Sequence, residues 1–213
     1  MNEQQYAILK SGVSNWNLYR EENVDVKIDL ENANFINTNC RNANFINTNF
    51  IDANCCYANF KGATFVDSDC RCTDFTNANC QNTNFTNTNC RHADFTGTNC
   101  QNTNFTNTNC RYATFIDSDC RNASFTGADL TGVDFTGALL NFTDVLTFSF
   151  SKDFVFFHTG KQYEDGNYLK IGHFSGSLNW WLDNYKKLGI ESNYTEKEIK
   201  IYKYLIDSLK KIA

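Results

Sequence analysis

The sequence predicts an all-β solenoid, preceded by a helical segment and followed by a small α+β module. Two periods carry that expectation. From Arg71 to Cys120 every fifth residue is Phe or Cys, beginning with Phe75 and Cys80, and the residue two places before each is small. A period of five matches neither a helix at 3.6 nor a strand at 2. On a flat strand, positions i and i+5 face opposite sides, and half of these apolar side chains would stand in water. The conflict vanishes if the chain turns a corner in each block of five, so that every Phe or Cys points inward. The second period is twenty residues. Arg71, Gln81, Arg91, Gln101 and Arg111 alternate, and the ten residues from Gln81 to Cys90 recur unchanged from Gln101 to Cys110. Four corners per repeat make a four-sided coil, stacked on the next at about the 4.8 Å spacing of strands. Such coils bury their apolar side chains only against each other, so several are required.

Residues 1–22 are expected to form a helical cap. Between residue 3 and about residue 21, Tyr6, Leu9, Val13, Trp16 and Tyr19 recur at spacings of three and four and draw one apolar stripe, weakened in the middle by Gly12. A solenoid needs such a cover over its first coil, because the open β edge is otherwise free to aggregate. Val24, Val26, Ile28 and Leu30 then alternate as a strand leading into the array.

The array is expected over residues 23–142, with an unbroken count of five from Leu30 to Leu140. Its inward positions sort onto four sides. Phe45, Phe65, Phe85, Phe105 and Phe125 share one side; Phe35, Phe75, Phe95, Phe115 and Phe135 share the opposite one, interrupted by Cys55. Cys70, Cys90 and Cys110 lie on a third side, and Cys40, Cys80, Cys100 and Cys120 on the fourth. Four columns of Phe would overfill the tube and four of Cys would leave voids, so rings from two facing sides and thiols from the others fit the volume. The many outward Asn residues suit tight corners, where they tolerate left-handed backbone and bond locally.

These units, among them Ala33-Asn34-Phe35, Ala43-Asn44-Phe45, Ala58-Asn59-Phe60 and Ala128-Asp129-Leu130, resemble the pentapeptide-repeat proteins, whose repeats follow A(D/N)(L/F)XX. The resemblance implies their right-handed quadrilateral β-helix. The run LKSGVSNWNLYREEN is also similar to the leader of many bacterial arrays of this kind.

Residues 143–213 are expected to form a β-hairpin plus two-helix module. The stretch from Asn141 to Phe157 reads as β with a hairpin around Ser151-Lys152-Asp153, and Tyr168 to Ile171 adds a strand. Ser177 is placed to cap a helix through Leu188, containing Leu178, Trp181 and Tyr185. Thr195 and Glu198 form a capping box for a second helix to about Ile212, with Ile199, Tyr202, Leu205, Ile206 and Leu209 on one face. The start Ile171-Gly172-His173-Phe174-Ser175-Gly176 resembles a module that follows other bacterial arrays, with His173 where Cys is usual; the resemblance implies architecture and no activity.

The 213 residues carry a net charge of -5, contain no Pro, and include no apolar run approaching the roughly 20 residues of a membrane span. The first ten residues lack the pattern of a signal peptide, and a cytoplasmic protein is expected. Eight of the ten Cys occupy inward positions, where a thiol behaves as a small buried hydrophobe and is expected to stay reduced. Parallel side chains one coil apart do not reach the torsion a disulfide requires. Cys56 and Cys72 point outward, and stacking by twenty sets Cys72 between Asp52 and His92. Those three residue types can ligate a metal. No fourth ligand accompanies them, so a solvated column and no bound metal are expected. Arg71, Arg91 and Arg111 form a second outward column able to grip a phosphate or carboxylate; it is read as solvated, neutralised by Asp69 and Asp119. Thr86, Thr106 and Thr126 form a flat column of the kind that binds ice.

Catalytic and cofactor motifs are absent from the sequence. The three His are His92, His158 and His173; His173 near Ser175 and Ser177 suggests a base and nucleophile, but a glycine-flanked serine before a helix reads better as loop and cap. The expected function is therefore a non-enzymatic scaffold binding a protein partner, without cofactor, metal, membrane or direct nucleic-acid contact. Its oligomeric state is open between monomer and dimer through the terminal modules. The alternative implied by the family resemblance is a DNA mimic acting on type II topoisomerase. Against it, ten acidic and six basic residues from Glu31 to Leu140 leave only -4, where duplex DNA carries one charge per roughly 1.7 Å of axis.

Overall fold

Each block of five supplies one side and one corner of a coil in the computed structural model. The residue before each inward one pairs in parallel with its counterpart a full coil later, as Asn34 does with Asn54 and Asn39 with Asn59. The Phe35 amide donates to Asn54 O at 2.7 Å, and the Asn54 amide donates to Ala33 O at 3.0 Å. Only a few pairings are long enough to count as strands: β1 (Ile28–Asp29) with β2 (Thr48–Asn49), and β3 (Asp119–Arg121) with β4 (Leu139–Asn141). The description covers residues 1–141, 146–150, 153–159, 167–171, 174–196, 199–200, 202–203 and 206–207.

The corners are four-residue turns. At the first, the Ala33 amide donates to Leu30 O at 3.1 Å, and of the turn residues only Asn32 has positive φ, 58°. Positive φ at the third residue alone is the type II pattern. A second set of Asn residues braces the corners: Asn34 and Asn49 each accept an amide two residues on, from Ile36 and Ile51, both at 3.0 Å. Asn thus does two jobs, one through its backbone and one through its side chain.

Inside the tube the rings are fully buried and stack along their columns. Phe95 lies 4.8 Å from Phe75 and 4.6 Å from Phe115 with nearly parallel planes, and meets Phe85 and Phe105 edge-on at 5.7 and 5.5 Å. Both geometries are favourable for aromatic quadrupoles. Cys55 breaks a Phe column, and the two sides flanking it compensate with Phe50 and Phe60, which the volume argument from the sequence left unassigned. Phe35 meets those rings at 5.2 and 6.3 Å, so where one column loses a ring the two beside it gain one each, and the coil Phe45, Phe50, Cys55, Phe60 holds three rings in place of the usual two. The small residue two places before each inward one is more than a filler. Where it is Thr it bonds a coil below: Thr83, Thr98 and Thr108 donate to Phe60 O, Phe75 O and Phe85 O at 2.6–2.8 Å. Phe60 O also accepts the Ala63 amide at 2.8 Å, so both lone pairs of a buried carbonyl are used.

The amino-terminal segment departs from the single expected helix. Two helices form, α1 (Glu3–Lys10) and α2 (Val13–Glu22), broken at Gly12, whose φ of 126° lies outside the helical region. The break lets both halves lie on the first coil. Leu9 and Trp16 are buried, with Tyr6 against Phe35 and Trp16 against Phe45, both at 5.8 Å. Side chains and one amide of this segment take the hydrogen-bonding places of a missing coil. Asn2 N donates to Asp29 O at 2.7 Å, Tyr6 Oη donates to Asn34 O, and Trp16 Nε1 donates to Asn44 O at 2.8 Å. In the other direction, Gln5 Oε1 and Asn17 Oδ1 accept the amides of Asp29 and Asn44, both at 2.9 Å. Arg20 is buried, donates to Ile46 O at 2.7 Å, and has its pKa lowered by that burial. The strand expected from Val24 to Leu30 shrinks to β1, and Val24 and Val26 are exposed. Without a coil beneath them, those residues have no ladder to join.

Beyond the array, β5 (Leu146–Phe150), β6 (Asp153–Thr159), β7 (Asn167–Ile171) and β8 (Phe174–Ser177) form an antiparallel sheet in that order. Phe150 opposite Asp153 sets the expected hairpin. The segment read as a loop before the helix is instead β8, paired to β7 with Ile171 opposite Phe174. Helix α3 (Leu178–Glu191) follows, capped by Ser177, which accepts the Trp180 amide at 3.1 Å. Trp181 Nε1 donates to the buried Leu169 O at 2.7 Å and ties α3 to β7. Of the second helix, Tyr202 and Ile206 are helical and buried, while Glu198, Leu205 and Leu209 lie outside the described residues. No helix among the described residues is long and apolar enough to cross a membrane.

Candidate functional site

With the tube filled by its own side chains, what can meet a ligand is the outer surface, and most of it follows one rule. The third residue of each corner has positive φ, a conformation open to Gly and, at modest cost, to Asn or Asp. From residue 32 to residue 137 there are twenty-two such places, and only Tyr57, Cys72, His92 and Tyr112 depart from Asn, Asp or Gly. Three of the four departures stack in one column, each preceded by Arg: Arg71-Cys72, Arg91-His92, Arg111-Tyr112. Chance scatter would not gather them on one corner of three consecutive coils.

The rings of His92 and Tyr112 lie parallel, 5.2 Å apart with planes 13° from each other. The guanidinium groups of Arg91 and Arg111 sit 6.0 and 5.7 Å from the Tyr112 ring centre, within cation–π range. The other face of Tyr112 rests on Gly132: a Cβ there would approach Tyr112 Cδ1 to 2.5 Å, and φ of Gly132 is +72°. Tyr112 is therefore held between His92 and backbone, yet remains 46% exposed along its edge.

The charges of the Arg column are paired differently from the expectation. Arg71 pairs with Asp69 at 2.8 Å as foreseen, but Arg111 takes Asp129 at 3.3 Å, from the coil above. Asp119 belongs to Arg121 at 2.6 Å, whose hydrogen bond holds the Asp119 carboxyl below its ordinary pKa. Arg91 pairs with no carboxylate among the described residues, so the central cation of the column is free of an acidic neighbour.

The other candidates fare less well. Asp52, Cys72 and His92 stack without converging, and no group of three or more His, Cys, Asp or Glu among the described residues is arranged to hold a metal. His92 turns to Tyr112 instead. All ten Cys are free; Cys72 is exposed and Cys56 is half-buried, donating to Asp74 Oδ2 at 2.9 Å. Burial, then that carboxylate, pushes the Cys56 thiol up to about 11. In the Thr column, Thr86 donates to Asn84 Oδ1 at 2.6 Å and Thr106 faces Ser124 at 3.4 Å, so these hydroxyls are turned to the protein's own partners. His158 lies on β6, Ser175 on β8, and His173 is outside the described residues. A separate groove of about 700 Å³ lies between α3 and the following helix, lined by Tyr185, Ile190, Tyr194, Ile199 and Lys200.

Tyr112 is the residue that reading the sequence missed. Its signal was legible: it occupies a place where fifteen of the chain's corners keep Asn or Gly.

The profile of the pentapeptide repeats matches residues 28–67, 45–79, 73–109 and 103–141, eight copies in all. No curated protein matches the sequence. Among solved structures, HetL of the cyanobacterium Nostoc sp. strain PCC 7120, described as involved in heterocyst differentiation regulation, is similar at 20% identity and a TM-score of 0.48, covering 54% of this chain and 62% of HetL. The chain thus spans under two thirds of HetL. Rfr23 of the cyanobacterium Cyanothece 51142 is 23% identical, with a TM-score of 0.31 over 64% of this chain and 94% of Rfr23. QnrB1, a plasmid-mediated fluoroquinolone resistance protein, is 18% identical, with a TM-score of 0.25 over 54% and 84%.

Proposed function

The chain belongs to the pentapeptide-repeat family, whose profile matches more than half of it, and from that premise we propose that it is a non-enzymatic, cytoplasmic scaffold that binds a protein partner. The filled interior is the observation that carries this reading. Every inward ring from Phe35 to Phe125 is fully buried, so the interior is occupied by the chain's own side chains and specificity is assigned to the outer surface. The repeat region, residues 23–142, acts as a rigid ruler with the right-handed winding implied by its family. Helices α1 and α2 serve as its cap, supported by the way they occupy the edge of the first coil. Residues 143–213 form a further module.

Mimicry of DNA is the weaker reading, because -4 over between five and six coils is far below the charge of duplex of that length, about fifteen. Crosslinked capture from the source cells with the intact chain tests the proposal. Stoichiometric recovery of one protein is expected. Recovery of type II topoisomerase, with inhibition of supercoiling at low micromolar concentration, would replace the scaffold by the mimic.

A further inference from the structure

A bulky side chain at positive φ costs of the order of 1 kcal/mol or more and persists where the surroundings impose it or a task rewards it. Nothing in the coil imposes Cys, His or Tyr at residues 72, 92 and 112, since Asn serves the same geometry at Asn82, Asn102 and Asn122. Resting on the scaffold reading, we propose that the corner built by Arg71, Cys72, Arg91, His92, Arg111 and Tyr112 is its docking ridge, and that its partner is an acidic peptide segment with a carboxylate held by Arg91.

Three observations choose that partner. The guanidinium groups of this corner can only donate, and the Tyr112 hydroxyl and the His92 ring can each add a donor. They therefore suit oxyanions. They are strung along three coils, roughly 10 Å of axis at the strand spacing, and do not converge. An extended acidic segment fits this better than a single small anion. Finally, both faces of Tyr112 are covered, by His92 and by Gly132, so no ring face is open for a base to stack on. A nucleic acid would also carry its phosphates past the corner onto an array of net charge -4. A short acidic peptide need touch only the ridge. Arg91 is the anchor because Arg71 and Arg111 already have Asp69 and Asp129.

The test uses the intact chain and fluorescence anisotropy at about 0.15 M ionic strength, where the Debye length is about 8 Å, with a labelled oligo-glutamate peptide and a single-stranded oligonucleotide of equal charge as probes. The peptide should bind saturably, and Arg91→Glu should weaken it at least about tenfold by replacing attraction with repulsion. Lys61→Glu makes the same charge change at the diagonal corner and should leave binding within about twofold, as expected for exposed charges beyond a Debye length. Tyr112→Asn should keep or raise the melting temperature while weakening the peptide, a separation that a purely structural Tyr112 would not produce. Tighter binding of the oligonucleotide overturns the peptide assignment, as does equal loss from Arg91→Glu and Lys61→Glu, or no peptide binding. If crosslinked capture recovers the same partner with wild type and Arg91→Glu, the scaffold stands and the ridge is not its site. If neither recovers one, the scaffold reading falls and takes the ridge with it.

Discussion

Two corners of the same coil, built on the same turn, have been used differently. At Asn82, Asn102 and Asn122 the chain puts the residue that positive φ tolerates, coil after coil, with φ between 55° and 59°. At Cys72, His92 and Tyr112 the backbone is indistinguishable, φ 55–59°, but the side chains are a thiol and two rings. The first corner is what the fold requires; the second is what the fold permits. The turn is held from both sides by inter-coil bonds such as His92 N to Arg111 O at 3.0 Å and Tyr112 N to Thr131 O at 2.8 Å. Those bonds persist whatever the side chain does, so a corner can leave the preferred residue set without losing its shape. Departures from the rule are then informative in a way that departures inside the tube are not.

The largest effect that separates interior from corner should be alkaline unfolding. Burial pushes the Cys40 thiol up to about 12 and raises Cys55, Cys90 and Cys110 well above their ordinary value. In the unfolded chain these thiols lose protons near pH 8.5, while the folded chain keeps them. The unfolded state then binds fewer protons, so stability is fully present below about pH 8.5 and falls as pH rises through the folded values. Each such thiol contributes about 1.4 kcal/mol per pH unit in that window. Urea midpoints between pH 7 and 11 should show the fall, and Cys40→Ala should flatten it by about one thiol's worth. Stability that stays level to pH 11 would show that the inward thiols are hydrated. In the same protein at pH 8, a disulfide reagent should label exposed Cys72 at once, and the inward thiols only on unfolding.

Next in size is the loss of a ring. Phe95→Ala removes both stacking neighbours' contacts from a fully buried site and should cost about 3–5 kcal/mol in urea unfolding. A loss under 1 kcal/mol would mean that the coil collapses around the gap.

Gly132→Ala probes how the unusual corner is supported. The new methyl meets the Tyr112 ring and sits at positive φ, so a cost of about 1–3 kcal/mol is expected. Repeating the substitution in a Tyr112→Ala background removes the clash and leaves the backbone cost, so the double-mutant cycle should show coupling of about 0.5 kcal/mol or more. Additive effects would place the ring elsewhere. Smallest of all, Thr83→Val removes one of two donors to Phe60 O and should cost about 1 kcal/mol, since the Ala63 amide remains. No change would show that the hydroxyl bond is made equally well by water in the unfolded chain.

The candidate ridge was half legible. The Arg column and the Asp52, Cys72, His92 column could both be read from the twenty-residue period, because register in a solenoid is arithmetic. What that arithmetic could not supply was orientation. His92 can turn toward Cys72 or toward Tyr112, and Arg111 can take a carboxylate of its own coil or of the next. Those choices depend on side-chain torsions that the period leaves free, and they decided that the column is a ring stack and that Asp119 serves Arg121.

By itself the sequence determined the tube. A strict count of five admits one way of keeping every Phe and Cys out of water, and a repeat of twenty fixes the number of sides. It also determined which residues stack, since i and i+20 must meet. Only the tertiary structure decided how the edge of the first coil is closed. The apolar stripe from Tyr6 to Tyr19 announces a buried face, but not that the helix breaks at Gly12, nor that Asn2, Gln5, Tyr6, Trp16 and Asn17 would satisfy the backbone of that coil. An amphipathic pattern encodes burial through spacing along one element. The hydrogen bonds of an open edge are met by whichever polar groups the docked helices bring within reach, and that reach exists only once the two are packed together.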